Sequence, residues 1–296
     1  MKKILLSCGA LALLSTSAFA TETTDASKPP IEVTIRTREA NKADRFYLRV
    51  GVGYNFAISK MPSFETTGNT SKFKGSYFGQ GFDPGLAIGY KLHPNVAFEL
   101  GLDYYMSAEN AHNEYDGSTA PARVNHITSK ANALFLRPAI RLNVPLRPGL
   151  ELYTRTGVVL PLGGKITYGK DVIVGNNTIV SVEQDIYGRF NAGLTGGIGL
   201  NFRVSRSTSV YLEATGQALV VWAKESEITK YHQMGQDVLS TKSTYELKAN
   251  YVKELDATSN NLKYNNRINP NAPRDESYEY AGFHSAGIKV GLQFKF

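Results

Sequence analysis

The sequence predicts an all-β fold, an eight-stranded antiparallel transmembrane up-and-down β-barrel with short periplasmic turns and long extracellular loops. Three observations predict this fold. The chain begins with an export signal, eight later segments alternate apolar with polar or small residues, and the connections between these segments alternate between short and long. The mean hydropathy is -0.25. Because no later apolar run reaches the roughly 18 residues of a spanning helix, a bundle of membrane-spanning helices is excluded.

The first twenty residues have the three parts of a secretory signal peptide. Lys2 and Lys3 give a positive start, residues 4–14 are apolar, and Ala18 and Ala20 stand where signal peptidase cuts. We therefore expect residues 1–20 to be removed. The only cysteine of the chain lies in this segment, so neither disulfides nor thiol chemistry are expected in the exported protein. The formal net charge is +7 without any run rich in Lys or Arg, and no nucleic-acid partner is expected.

The exported part of the chain has a period of two. In Phe46 to Phe56, one parity is continuously apolar and the other is polar or glycine. Adjacent residues of a strand point to opposite faces, so each such segment predicts a strand with one apolar face. The same alternation recurs over about 86–92, 96–106, 134–144, 150–160, 188–204, 210–222 and 286–296.

The connections are strongly unequal in length. Short turns alternate with long excursions at about 57–76, 107–128, 161–187 and 223–283. This asymmetry is typical of a barrel threaded through a membrane, with tight turns on the periplasmic side and long loops outside. The sequence thus predicts a periplasmic N-terminal leader over 21–44 and a barrel over 45–296. Ten strands remain an alternative to eight, if the last long loop contains a further transmembrane hairpin.

The end of the chain carries the most specific motif. Lys289, Gly291, Phe294 and Phe296 fit a polar-x-Gly-x-x-hydrophobic-x-hydrophobic pattern with a terminal Phe. With the signal peptide and the alternation, the chain resembles the small outer-membrane barrels of the OmpA/OmpX and opacity-protein type. The resemblance implies the outer membrane of a Gram-negative-type bacterium, with membrane lipid and the outer-membrane insertion machinery as partners. Because no peptidoglycan-binding domain like that of full OmpA is recognised after the barrel, the resemblance is not expected to carry over an anchoring role.

A barrel of this kind places the polar parity inside. Burying unpaired charges is prohibitive, so we expect an interior network of ion pairs. Eight strands leave an interior that side chains fill, which favours a packed core over a polar pore, with small conductance at most. The expected members of the network are Arg49, Glu99, Asp103, Arg137, Arg141, Glu151, Arg155, Arg189, Glu213 and Lys289.

Function is expected in the long loops. The last loop is rich in Tyr and Asn, the residues of adaptable binding loops, and predicts a surface protein of adhesin or surface-antigen type with an external ligand. Part of it, at about 244–253, alternates again, and residues 171–180 predict a hairpin. A small-solute channel is the alternative. A lipid-modifying enzyme is less favoured, because only His126 with Ser129 and His284 with Ser285 are near pairs. No cofactor or metal site is expected.

Overall fold

A computed structural model of the protein describes residues 45–59, 64–67, 70–73, 78–116, 123–175 and 177–296. The predicted signal peptide, its cleavage residues Ala18 and Ala20, and the predicted leader over 21–44 lie outside these residues. No helix in the described ranges is long and apolar enough to cross a membrane.

Eighteen strands are present in the described part of the chain, together with one short 3-10 turn, Leu239–Thr241, and one four-residue helix α1, Thr244–Leu247. The strands are β1 (Phe46–Ala57), β2 (Phe64–Thr67), β3 (Thr70–Phe73), β4 (Gly81–Phe82), β5 (Gly85–His93), β6 (Val96–Ser107), β7 (Asn110–Asp116), β8 (Arg123–Arg147), β9 (Leu150–Val174), β10 (Asn177–Gly188), β11 (Gly193–Arg203), β12 (Thr208–Ala218), β13 (Val220–Gln233), β14 (Gln236–Asp237), β15 (Lys248–Val252), β16 (Arg274–Ser277), β17 (Tyr280–Gly282) and β18 (Ser285–Lys295).

Eight of these strands pair in a closed circuit. In order they are β1, β5, β6, β8, β9, β11, β12 and β18, and β18 pairs back onto β1. Each pair in the circuit is antiparallel, and the closing pair places Gly51 opposite Gly291. Each of these eight strands overlaps one of the eight alternating segments of the sequence, with different bounds. The all-β antiparallel class is therefore confirmed.

The sheet continues beyond the circuit at one end. Strands β8 and β9 each have 25 residues, and their distal halves pair with each other and with β7 and β10. Strand β13 joins β10, and β15 joins β13. We call the strands β7, β10, β13, β15 and β16 with the distal halves of β8 and β9 the sheet extension.

The extension corrects the expectation of eight strands joined by long loops. Most of 107–128, 161–187 and the first part of 223–283 is strand, and the described chain has eighteen strands rather than eight. The hairpin predicted over 171–180 is present as the end of β9 and the start of β10. Of the segment 244–253, part of which alternation predicted as strand, 248–252 is strand β15 and 244–247 forms α1. A capping box at Ser243 and Glu246 begins this helix.

Burial along the circuit is inverted relative to a water-soluble sheet. Arg141 and Glu99 are 1% and 0% exposed, whereas Ile88 and Ile140 are 56% and 57% exposed. The alternation continues along the circuit, where the outward positions carry large apolar side chains and the buried positions carry charged, polar, aromatic or small residues. An apolar belt of this extent has to meet lipid or another apolar surface.

The narrow interior uses glycine where a large side chain crosses it. A Cβ added at Gly89 would overlap the ring of Tyr47, which is buried. A Cβ at Gly51 would likewise meet the hydroxyl of Tyr211. Glycine at these two positions leaves room for the tyrosine rings that fill the centre of the circuit.

Candidate functional site

The first group of interior charges, here called the Glu99–Glu213 cluster, contains three guanidiniums and three carboxylates. Its carboxylates come from β6, β9 and β12, and its guanidiniums from β1, β8 and β9. The nitrogen–oxygen distances are 3.1 Å for Arg49–Glu99, 2.7 Å for Arg49–Glu213, 3.2 Å for Arg141–Glu99, 3.1 Å for Arg141–Glu151 and 2.6 Å for Arg155–Glu213.

Neutral groups complete this cluster. The hydroxyl of Tyr47 donates to Glu99 at 2.8 Å, and that of Tyr153 donates to Glu213 at 2.8 Å. Arg141 also donates to the side-chain oxygens of Gln293 and Asn143, and its guanidinium lies 3.8 Å from the centre of the Tyr153 ring. Both glutamates therefore have several charge-assisted partners, which a buried carboxylate requires.

A second group, the Asp83–Asp103 cluster, lies beside the first. Arg137 contacts Asp103 at 3.0 Å and Asp83 at 3.3 Å, and Lys289 contacts the same two carboxylates. Sequence reasoning missed Asp83, which is 1% exposed. The residue lies between the two-residue strand β4 and β5, outside the alternating segment, and a polar residue before Pro84 was the only signal for it.

The two clusters balance their charges and leave only a small cavity between them. Three cations face three anions in the first cluster and two face two in the second. The cavity between them, lined by Arg49, Asp103, Arg155 and Lys289 among others, has a volume of about 10 Å³. Such a volume holds about one water molecule, so it is far too small for a continuous aqueous path.

An apolar layer, the aromatic layer, covers the Asp83–Asp103 cluster. It consists of Phe78, Tyr105, Phe135 and Phe283, all buried, with small and aliphatic neighbours. The Tyr105 and Phe283 rings are 6.0 Å apart, and the Tyr105 hydroxyl donates to the carbonyl of Phe78 at 2.7 Å. The layer joins the circuit to the connection between β17 and β18.

A cavity of about 550 Å³ lies on the other side of the aromatic layer. Three of the four residues of the layer line it, and its other walls come from the sheet extension and from the connection between β10 and β11. The wall includes Pro161, Leu162, Gly163, Tyr168, Arg189 and Phe190. The volume lies within the roughly 300–1,000 Å³ that small-molecule sites occupy.

Arg189 corrects the expectation that it belongs to the interior network. Its guanidinium donates to the carbonyls of Ala223 and Tyr251 and lies 4.8 Å from the centre of the Tyr278 ring. The physical reason is a break in the strand. Residues 189–192 are not strand and precede the first pair of β11 with β9, Gly193–Val159, so Arg189 lies at the wall of the cavity rather than beside the carboxylates of the two clusters.

Besides Arg189, the charged or titratable side chains at the cavity wall include His112, Glu114, Lys165 and Glu279. Lys165 donates to Asp185 at 2.6 Å, and this hydrogen bond raises the pKa of the lysine. Burial, reinforced by the nearby carboxylate of Glu276, raises the pKa of the Glu279 carboxyl. The cationic groups at the wall are thus engaged by protein partners.

The residues of the C-terminal motif lie in the strand pair that closes the circuit. In the closing pair, Phe294 is opposite Leu48, Gly291 is opposite Gly51, and the backbone N–H of Phe296 donates to the carbonyl of Phe46. The ring of His126 contacts the side chain of Asn113 at 2.7 Å. Within the described ranges, no group of three or more His, Cys, Asp or Glu is arranged to hold a metal ion.

A closed antiparallel circuit with a charged, paired interior and an apolar outer surface defines a β-barrel protein of a membrane. The family described as "Outer membrane protein beta-barrel domain" matches residues 6–252. The chain therefore belongs to the outer-membrane β-barrel family.

Three solved structures are similar to this chain. They are Neisserial surface protein A (10% identity, 85% of this chain and 97% of that chain, TM-score 0.34), OprG from Pseudomonas aeruginosa (12%, 87% and 98%, TM-score 0.41) and CarO2 from Acinetobacter baumannii (10%, 84% and 99%, TM-score 0.33). No curated protein matches the chain.

Proposed function

We propose that the closed circuit is an eight-stranded barrel that spans the outer membrane. The apolar outward residues of the circuit would face lipid, and the sheet extension would stand outside the cell. The turns at 94–95, 148–149 and 204–207 would face the periplasm, on the same side as the segment over 21–44. The short turns at one end of the circuit and the long sheet extension at the other support this orientation, because barrels of this class have short periplasmic turns.

The protein would act at the surface by binding an external small molecule in the 550 Å³ cavity. The observation that carries this proposal is the position of the cavity directly above a closed interior. A ligand held there would contact Phe78, Phe135 and Phe283. It could not pass through the ion-paired clusters beneath, whose opposite charges balance. The lining is largely apolar, which favours an apolar ligand.

The closed interior weighs against the channel alternative. Conduction would require breaking ion pairs whose members are at most 6% exposed, except Glu151 and Lys289 at 25% and 7%. The enzyme alternative has less support, because His126 contacts Asn113 and the family is one of barrels. Outer-membrane lipid and the barrel insertion machinery are the further partners we propose, the latter reading Lys289, Gly291, Phe294 and Phe296.

Planar-bilayer recording tests the closed interior. We expect the refolded protein to give no large, stable unitary currents. Its folded state is checked on the same sample by a shift in gel migration on boiling. Large unitary currents from protein that shows this shift would contradict the proposal and favour the channel.

Fluorescence quenching tests the cavity. The Trp222→Phe substitution removes the single tryptophan of the sequence. In this background, Tyr168→Trp places one fluorescent reporter on the cavity wall. Bromododecanol, delivered from cyclodextrin, is the quencher. We expect saturable quenching of this reporter. A Tyr264→Trp reporter in the same background is the matched control, because Tyr264 is exposed away from the cavity. Equal quenching of the two reporters would refute a binding cavity.

A further inference from the structure

The wall of the circuit has a break beside the cavity. Strand β9 pairs with β11 up to the pair Val159–Gly193 and with β10 from the pair Lys165–Tyr187 onward. Among the described residues, none of β10 or β11 pairs with residues 160–164. Five residues of β9 therefore have no strand neighbour on that side.

A hydrogen-bonded connection forms the opposite side of the break. Residues 189–192 connect β10 to β11, and two of their backbone N–H groups donate to acceptors outside β9. The N–H of Arg189 donates to the carbonyl of Trp222 at 2.7 Å, and the N–H of Ala192 donates to the side-chain oxygen of Asn191 at 2.8 Å. The side-chain amide of Asn191 in turn donates to the carbonyl of Val220. The connection is thus anchored on β13, at Val220 and Trp222.

Both sides of the break belong to the cavity and to the outer surface. Pro161, Leu162 and Gly163 line the cavity from β9, and Arg189 and Phe190 line it from the connection. Leu162 is 52% exposed and Phe190 is 73% exposed. Apolar residues that line the cavity are therefore exposed on both edges of the break.

The position of the break has a physical rationale. A backbone group left without a partner in lipid costs several kcal/mol, so irregular backbone at membrane depth is tolerated only where it lines a cavity or is covered by protein. Proline lacks an N–H, and Pro161 removes one donor that would otherwise need a partner. Gly163 leaves the space open, since an added Cβ there would meet no atom within 4 Å.

We propose that this break is a lateral opening through which an uncharged, apolar chain-like molecule exchanges between the cavity and the bilayer. This inference rests on the proposed function, since it requires the cavity to bind a ligand. An uncharged ligand fits because Lys165 is paired with Asp185 and Arg189 with two carbonyls. The cationic groups of the wall thus have no need of an anionic head group.

The test compares two routes of delivery with the Tyr168→Trp reporter in the Trp222→Phe background. Bromododecanol is supplied either dissolved in the bilayer of the vesicles that hold the protein or from cyclodextrin in the water outside. Gly163→Phe fills the break. Gly216→Phe is the matched control, because an added Cβ at Gly216 also meets no atom within 4 Å and the residue lies on the outward parity of β12, away from the cavity.

We expect Gly163→Phe to slow quenching by bilayer-borne bromododecanol by about tenfold or more, the factor of an added barrier of about 1.4 kcal/mol. Gly216→Phe should leave this rate unchanged, and cyclodextrin-delivered quenching of the Gly163→Phe protein should still saturate. If both variants respond equally to bilayer-borne quencher while cyclodextrin delivery quenches, the lateral opening is refuted and the binding cavity stands. If neither route quenches the unblocked reporter, the cavity itself fails, and the opening with it.

Discussion

Replacing Glu213 with Gln should strongly destabilise the barrel although the side chain keeps its shape. The carboxylate is 0% exposed and accepts hydrogen bonds from Arg49 at 2.7 Å, Arg155 at 2.6 Å and Tyr153 at 2.8 Å. The change leaves one uncompensated positive charge in the cluster, and loss of one partner of a buried ion pair costs about 3–5 kcal/mol. Arg49 keeps Glu99 at 3.1 Å, so we expect the lower half of this range.

The assay is urea unfolding in lipid vesicles, followed by Trp222 fluorescence and by gel migration. Glu225→Gln is the matched control, because Glu225 pairs with Lys224 at the surface, where such pairs contribute about 0–1 kcal/mol. Adding Arg155→Gln to Glu213→Gln restores neutrality, and we expect it to recover part of the loss. A Glu213→Gln protein that is no less stable than the Glu225→Gln protein would refute the paired-interior reasoning.

Three further predictions concern backbone and surface positions. Gly89→Ala should destabilise the barrel by about 1–3 kcal/mol, because its methyl group overlaps the Tyr47 ring, whereas Gly101→Ala, whose nearest contact would be 3.5 Å, should be close to neutral in the same urea assay. The pKa of the Glu279 carboxyl is raised, so its contribution to stability is present at low pH and is lost as pH rises through the folded-state pKa. Glu279→Gln should remove this pH dependence of local stability, as measured by hydrogen exchange of β17. Met234 has a φ of 49°, so Met234→Asn, which tolerates this conformation better, should slow exchange in the β13–β14 hairpin, and faster exchange would contradict the strain argument.

The parity rule predicted most of the interior because a strand offers only two faces. Once Arg49, Glu99 and Lys289 were placed on the polar parity of their segments, their meeting in the centre followed from closure of the sheet. The individual partners were not predictable, since each pair depends on register. Arg141 lies opposite Arg155 in the β8–β9 pair, for example, yet each guanidinium binds a carboxylate from another strand.

The sequence was least informative where strands break or continue past the membrane. Leu219 interrupts the run from β12 to β13, and residues 189–192 interrupt that from β10 to β11. Position 189 precedes the paired part of β11, which begins at Gly193, and this is why Arg189 was assigned to the wrong place. The cavity could not be predicted either, because Phe78, Tyr168 and Phe283 come from distant parts of the chain and meet only in three dimensions.

The interior ion pairs also constrain the order of folding. Arg49 on the first strand contacts Glu213 on β12, and Lys289 on the last strand contacts Asp103 on β6. These partners can meet only when the first and last strands join. A half-inserted chain would therefore hold unmatched charges beside hydrocarbon, so insertion and closure of the sheet are expected to occur as one cooperative step rather than strand by strand.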